Sequence, residues 1–278
     1  MFAFLNGKIV PETQAVVSVF DRGFLYGDGL FETLHVVHGE PFRWTDHITR
    51  LQRGADFLKI TLPYTPDQLR EFSGQLMAKN KLPDALLRLT VSRGDGARGY
   101  SPKNAGPPTC VMTLHPAPEI DPQNPPRWKL ITPQIRLPLG DSLTQFKTAN
   151  KLWQVLARAE ADAVGADEAL LLNTAGHVAE ATSANVFWVE NDMVCTPPLA
   201  AGILPGVTRV VVLELCARLG VSVMEKTGLP EELLRAEGVF LTMTSLGVVP
   251  VAKLDGHELR HSPLVETLCA SYADLLNE

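Results

Sequence analysis

The chain has 278 residues, 45% of them hydrophobic and 20% charged, with a net charge of −6. That length supports one large domain or two smaller ones with cores of their own, and the composition excludes a disordered chain. The acidic balance argues against a nucleic-acid partner, and no apolar run reaches the length of a membrane span. The first residues, Met1-Phe2-Ala3-Phe4-Leu5-Asn6-Gly7, lack the basic start of a signal peptide. Cys110, Cys195, Cys216 and Cys269 lie far apart with no C-x-x-C pair, so the expectation is a cytoplasmic protein with reduced core thiols and no metal site.

In chain order, Asn6-Gly7 predicts a tight hairpin within residues 2–10. Residues 29–37 read as a strand, turned by His38-Gly39-Glu40. Asp46 is expected to cap a helix in which Ile48, Leu51, Ala55 and Leu58 recur at three and four. A second helix at 66–79 and strands at 85–92 and 109–114 follow. Pro116, Pro118, Pro122, Pro125 and Pro126 crowd one stretch, which predicts a stiff linker over 118–127. The linker divides a small α/β domain, 1–117, from a larger, β-rich α/β domain, 128–278. In the second domain a strand is expected at 128–137, then a helix with Leu152, Val155, Leu156 and Ala159 on one face. Further strands are expected at 168–172, 185–189, 194–196, 221–226, 239–242 and 248–254, with helices at 208–219, 230–236 and 263–276.

Gly94-Asp95-Gly96-Ala97-Arg98-Gly99 fits G-x-G-x-x-G, and Glu119 lies about twenty positions on, as a dinucleotide fingerprint asks. Tyr100-Ser101-Pro102 and Gly106-Pro107-Pro108 cannot continue as the required helix. A structured loop remains, from which Arg98 and Tyr100 either project toward a substrate carboxylate or stand in solvent. Lys147, in Phe146-Lys147-Thr148-Ala149-Asn150-Lys151-Leu152, sits among apolar residues before a helix, whereas Lys151 belongs to a polar face one turn further on. An imine-forming lysine needs a suppressed charge and a fixed approach, and this position supplies both, although a solvated lysine fits it as well. Glu180 leads into the small polar turn Ala181-Thr182-Ser183-Ala184, where its partner is either a structural cation or a protonated pyridine ring. Arg50 is either the polar face of its helix or a bidentate phosphate ligand. Gly206-Val207-Thr208-Arg209 at a helix start and Thr242-Met243-Thr244-Ser245 at a strand end add anion-binding groups. Taken together, these are the parts needed to hold pyridoxal phosphate.

The run from Asp21-Arg22-Gly23-Phe24 through Gly29-Leu30-Phe31-Glu32-Thr33 resembles the N-terminal signature of the class-IV aminotransferases, the fold-type IV pyridoxal-phosphate enzymes. His47-Ile48-Thr49-Arg50-Leu51, the Lys147 segment, the block from Glu180 to Phe187, and Leu204-Pro205-Gly206-Val207-Thr208-Arg209 match in the same order, end to end. The resemblance implies two α/β domains with pyridoxal 5'-phosphate between them, in a homodimer whose active site borrows a loop from the partner. It implies Lys147 as the Schiff-base lysine, Glu180 on the ring nitrogen, and Arg50, Val207, Thr208 and Thr244 around the phosphate. Phe31, Thr33, Arg98 and Tyr100 would face a small-molecule substrate. The loop from Ser92 to Ser101 is similar to the arginine–glycine–tyrosine loop of 4-amino-4-deoxychorismate lyases, which release pyruvate and 4-aminobenzoate in folate biosynthesis, and this favours lyase activity. Met243 and Thr244 depart from the asparagine and serine common in lyases. Arg98 also falls where D-amino-acid aminotransferases hold a carboxylate, so a D-amino-acid or branched-chain aminotransferase is the alternative.

Overall fold

The computed structural model describes residues 1–119, 121 and 124–278. Residues 120, 122 and 123 of the expected linker lie outside that set. Contacts gather the chain into two units, Met1–Pro118 with Phe146–Asn150, and Glu119–Gln145 with Lys151–Glu278. Lys147 thus belongs to the first unit although it follows the proline-rich stretch in the chain.

The first unit is an antiparallel sheet with helices α2 and α3 packed on it. β1 (Phe2–Leu5) and β2 (Lys8–Pro11) are joined through Asn6 and Gly7, whose φ angles of 46° and 86° suit the twist of a two-residue hairpin. α1 (Arg22–Tyr26) leads into β3 (Gly29–Val37) and β4 (Glu40–Pro41). α2 (Trp44–Leu58), α3 (Pro66–Asn80), β5 (Ala85–Ser92) and β6 (Thr109–Pro116) complete it, with strand order β2-β1-β6-β5-β3-β4. Asp46 is not the cap of α2: Arg43, in the left-handed conformation, holds that place. Asp46 lies within the first turn, where a carboxylate meets the positive helix end, and it pairs with Arg43 at 3.6 Å. Leu30 and Leu34 of β3 and Leu87 and Leu89 of β5 pack with Ile48, Leu51 and Ala55 of α2. The two-residue period of a strand sends Phe31 and Thr33 to the other face, opposite Thr90 and Arg88 of β5.

The second unit contains β7 (Trp128–Ile131), β8 (Arg136–Leu137), α4 (Leu152–Ala163), β9 (Glu168–Asn173), β10 (Val178–Ala181), β11 (Asn185–Glu190) and β12 (Met193–Thr196). It continues through α5 (Val207–Arg218), β13 (Val223–Glu225), α6 (Pro230–Arg235), β14 (Gly238–Met243), β15 (Gly247–Leu254), β16 (His257–Glu258) and α7 (Pro263–Asn277). The strands run β10-β9-β7-β15-β14-β11-β12-β13, and a further pairing of β10 with β11 closes a ring. The single strand expected at 128–137 is two strands. Pro133 cannot donate to a ladder, and Thr132 instead gives its N–H and hydroxyl to Asp255 at 2.6 and 2.8 Å. The apolar face expected on α4 is present but exposed. Only Ala157 and Ala161 pack inward with Ala169 and Leu171 of β9, while Leu152, Val155 and Leu156 are turned outward, Val155 at 60% exposure. Lys151 stands at the N-cap of α4, one turn earlier than expected. None of the described helices is long and apolar enough to cross a membrane, and the four cysteines are buried and free.

Candidate active site

Lys147 is held by backbone. Its carbonyl accepts from Phe31 N–H at 2.9 Å, Ala149 N–H donates to Gly29 O at 2.8 Å, and Thr148 bridges to Leu30. Phe146 stacks on Phe57 with ring centroids 4.4 Å apart, anchoring the same segment to α2. Lys147 Nζ lies 4.6 Å from the centre of the Phe31 ring, and Arg88 Cζ lies 3.9 Å from it. The Arg88 guanidinium is half-buried, and this loss of solvent lowers its proton affinity. Among the described residues it has no ion pair or hydrogen bond. Thr33, the cross-strand partner of Arg88, is half-buried on the same face.

On the helix side of that sheet, Glu32 is fully buried and accepts from Arg50 Nε at 2.8 Å and Arg50 Nη2 at 2.6 Å, with His47 Nδ1 at 2.7 Å. Burial pushes the Glu32 carboxyl up, but the Arg50 charge and these hydrogen bonds outweigh it and hold its pKa at about 2. Burial pushes His47 down more than Glu32 raises it, and the Arg50 and Lys147 charges act in the same direction as burial. The Nε–Nη2 fork of Arg50, expected for a phosphate, is therefore taken by Glu32.

The residues between β5 and β6 form a loop with no helix, as the prolines require. Arg98 and Tyr100 are exposed there, Tyr100 at 87%. Behind them Arg22 is buried, with Nη1 donating to Gly99 O and Ser101 O and Nη2 to Tyr100 O.

In the second unit, Glu180 and Asn185 are cross-strand partners where β10 meets β11. They grip one residue: Leu204 N–H donates to Glu180 Oε2 at 2.8 Å, and Asn185 Nδ2 donates to Leu204 O at 2.9 Å. Leu204 lies two residues before Gly206, the N-cap of α5, which offers no side chain to the first amides, and Val207 and Thr208 beyond it are buried. A Cβ on Gly206 would lie 2.0 Å from Asn185 Oδ1, so only glycine passes there. Across from Asn185, Thr242 on β14 has a buried hydroxyl without a hydrogen-bond partner among the described residues. Thr244 is half-buried just past the end of β14.

Residues 29–254 match the family described as amino-transferase class IV. The chain belongs to that family. A Methanocaldococcus jannaschii protein, provisionally named a branched-chain-amino-acid aminotransferase, is 38% identical over 96% of this chain and 92% of its own. The aminodeoxychorismate lyase of Vibrio harveyi is 33% identical over 92% of each chain, and the D-alanine aminotransferase of Bacillus licheniformis is 31% identical over 93% of this chain and 90% of its own. Among solved structures, a branched-chain aminotransferase from the archaeon Thermoproteus uzoniensis, crystallised with norvaline, superposes with a TM-score of 0.92 at 26% identity, covering 100% of this chain and 95% of the other. Another branched-chain amino acid aminotransferase, solved with pyridoxamine 5'-phosphate, gives 0.93 at 27% identity over 99% of this chain and 94% of the other. A Legionella pneumophila protein, provisionally named 4-amino-4-deoxychorismate lyase, gives 0.87 at 30% identity over 96% of this chain and 97% of the other. The two-unit α/β architecture is thus that of the class IV enzymes, a family of transaminases and lyases that work with pyridoxal 5'-phosphate.

The donor set of this class IV chain fits that cofactor. The uncapped amides of α5 and the orphaned Thr242 hydroxyl can donate to a phosphate, and Glu180 can accept from a protonated ring nitrogen. Arg22, Glu32 and Asn185 lie inside the motifs that carry the resemblance but were given no role, and Arg88 was passed over. The one signal for Arg88 was a lone charge inside the apolar run Ala85-Leu86-Leu87-Arg88-Leu89.

Proposed function

We propose that the chain is a pyridoxal 5'-phosphate-dependent aminotransferase acting on an amino acid. The observation that carries this reading is the pairing of an amine with a half-buried guanidinium on one aromatic ring: Lys147 and Arg88 both lie against Phe31. Bound, the cofactor supplies an electron sink for charge developing at the substrate Cα. Lys147 would hold the cofactor through Nζ, and that same amine would be the base that takes the substrate Cα proton. Glu180 accepts the ring N–H. Val207, Thr208, Thr244 and Arg50 would serve the phosphate, Arg50 with its Nε and Nη2 already on Glu32. Phe31 and Thr33 border the substrate, and the cations Arg88 and Arg98, with the Tyr100 hydroxyl, take its carboxylate groups. The M. jannaschii relative supports placing transamination first. A structural neighbour named a branched-chain amino acid aminotransferase has been crystallised with N-(5'-phosphopyridoxyl)-L-glutamate, a carboxylate-bearing adduct of this kind.

Aminodeoxychorismate lysis is the second reading, favoured by Arg98-Gly99-Tyr100 and by the V. harveyi relative. There Lys147 would take a ring proton as the enolpyruvyl group leaves, to be protonated to pyruvate. Side-by-side assays of L-leucine, D-alanine and aminodeoxychorismate with cofactor-loaded protein separate the two. The proposal expects an amino acid to be converted with a keto acid as acceptor, and pyruvate release from aminodeoxychorismate alone would overturn it.

We also infer a homodimer with a shared active site. Val19, Phe20 and Phe24 leave one apolar surface on the first unit, Phe24 at 74% exposure, and the outward face of α4 leaves another on the second. Buried free thiols suit a cytoplasmic protein.

A further inference from the structure

Arg22 lies in α1, only 3% exposed, yet among the described residues its guanidinium has a single carboxylate partner, Asp28, at 2.9 Å. The rest of its fork is spent on three consecutive backbone carbonyls, those of Gly99 (3.0 Å), Tyr100 (3.0 Å) and Ser101 (3.2 Å). A chain that turns three successive carbonyls onto one buried cation must present its side chains elsewhere, and Arg98 and Tyr100 are exposed. The surrounding contacts are built for this. Tyr26 places its ring under the Arg22 guanidinium at 4.9 Å, accepts Gly99 N–H on its hydroxyl at 3.1 Å, and meets the Tyr100 ring edge-on at 5.6 Å. Gly96 lets the arginine pass, since a Cβ there would lie 2.8 Å from Arg22 Cδ. Arg93 anchors the loop base on the same carboxylate, donating Nε and Nη2 to Asp28 at 2.7 and 3.0 Å. Lysine would carry the charge without the planar fork that reaches all these acceptors.

We propose that Arg22 is a specificity-positioning residue: it sets the loop that presents Arg98 and Tyr100 to a substrate carboxylate, and so governs substrate affinity without taking part in proton transfer. This rests on the function proposed above, in which that loop binds the carboxylate. In cofactor-loaded protein, Arg22→Lys is expected to raise KM at least tenfold for whichever of L-leucine, D-alanine or aminodeoxychorismate the parent enzyme converts, with kcat changed less than threefold. Tyr26→Phe and Gly96→Ala, which disturb the same clamp while keeping Arg22, are expected to shift KM in the same direction and serve if Arg22→Lys fails to fold. Amide hydrogen exchange over residues 97–104 should accelerate in each variant while that of β3 and β5 does not. In an Arg98→Ala, Tyr100→Ala background the Arg22→Lys effect on KM should vanish, because Arg22 acts through those side chains. An unchanged KM and loop exchange in variants of an active parent overturns the role of Arg22 alone. A KM effect that persists in the Arg98→Ala, Tyr100→Ala background does the same. A parent enzyme that converts none of the three substrates overturns the function reading, and the proposal about Arg22 falls with it.

Discussion

Glu32 shows how much one buried carboxylate can govern. It joins Arg50 and His47 in a solvent-free triad, and it is tolerable only because both partners are in contact. The carboxyl titrates near 2 when folded against an ordinary 4.5, so the unfolded chain takes up its proton first as the pH falls. Its contribution, about 3 kcal/mol, is complete above pH 4.5 and disappears as the pH falls through 2. His47 adds the same sign higher up: its folded pKa lies below the ordinary 6.5, so the unfolded chain again binds the proton first. Denaturant titrations should therefore show stability beginning to decline below pH 6.5 and falling more steeply below 4.5. Glu32→Gln should remove the steeper phase and cost about 3–5 kcal/mol at neutral pH, because it leaves Arg50 without its counter-charge. A variant with the same acid profile as the parent would refute the triad's electrostatics.

Among the elements, β10, β11 and α5 act as one brace. Glu180 and Asn185, paired across the two strands, hold the N–H and the C=O of Leu204, which fixes where α5 begins. Under the proposed function, a fixed span between Glu180 and the α5 amides would be pre-organisation for a rigid cofactor. Asn185→Ala should weaken cofactor binding about tenfold, the ~1.4 kcal/mol expected of one hydrogen bond, as read by spectroscopic titration. Unchanged affinity would show the brace to be incidental. The strands and helices around it were largely legible in the sequence. The strand-like run of residues 29–37 and the Asn6-Gly7 turn mapped directly onto β3 and the first hairpin. The misreadings have physical causes. Asp46 looks like a cap, but a left-handed Arg43 does that work without side-chain chemistry a sequence pattern can reveal. Periodicity located the apolar stripe of α4 and could not say what covers it. The Arg22 clamp was not legible, because its acceptors are backbone carbonyls 77 to 79 residues away, and a carbonyl carries no sequence signal.

At the scale of the molecule, the proposed homodimer would cover two exposed apolar surfaces. Phe24 on the first unit and Val155 on the second are 74% and 60% exposed, and grouped exposed apolar side chains mark association sites. Sedimentation should give twice the chain mass. Phe24→Glu should lower the association constant by at least a hundredfold and reduce turnover in step with dissociation, if the partner completes the site. Full activity in a monomeric variant would contradict a shared site.

The claim on which the account turns is that Lys147 carries the cofactor, and it has a direct measurement. Protein supplied with pyridoxal 5'-phosphate is reduced with borohydride, digested, and its modified peptide sequenced by mass spectrometry. A single reduced adduct is expected on Lys147, absent from Lys147→Ala. An adduct on Lys151, or no adduct at all, would contradict it.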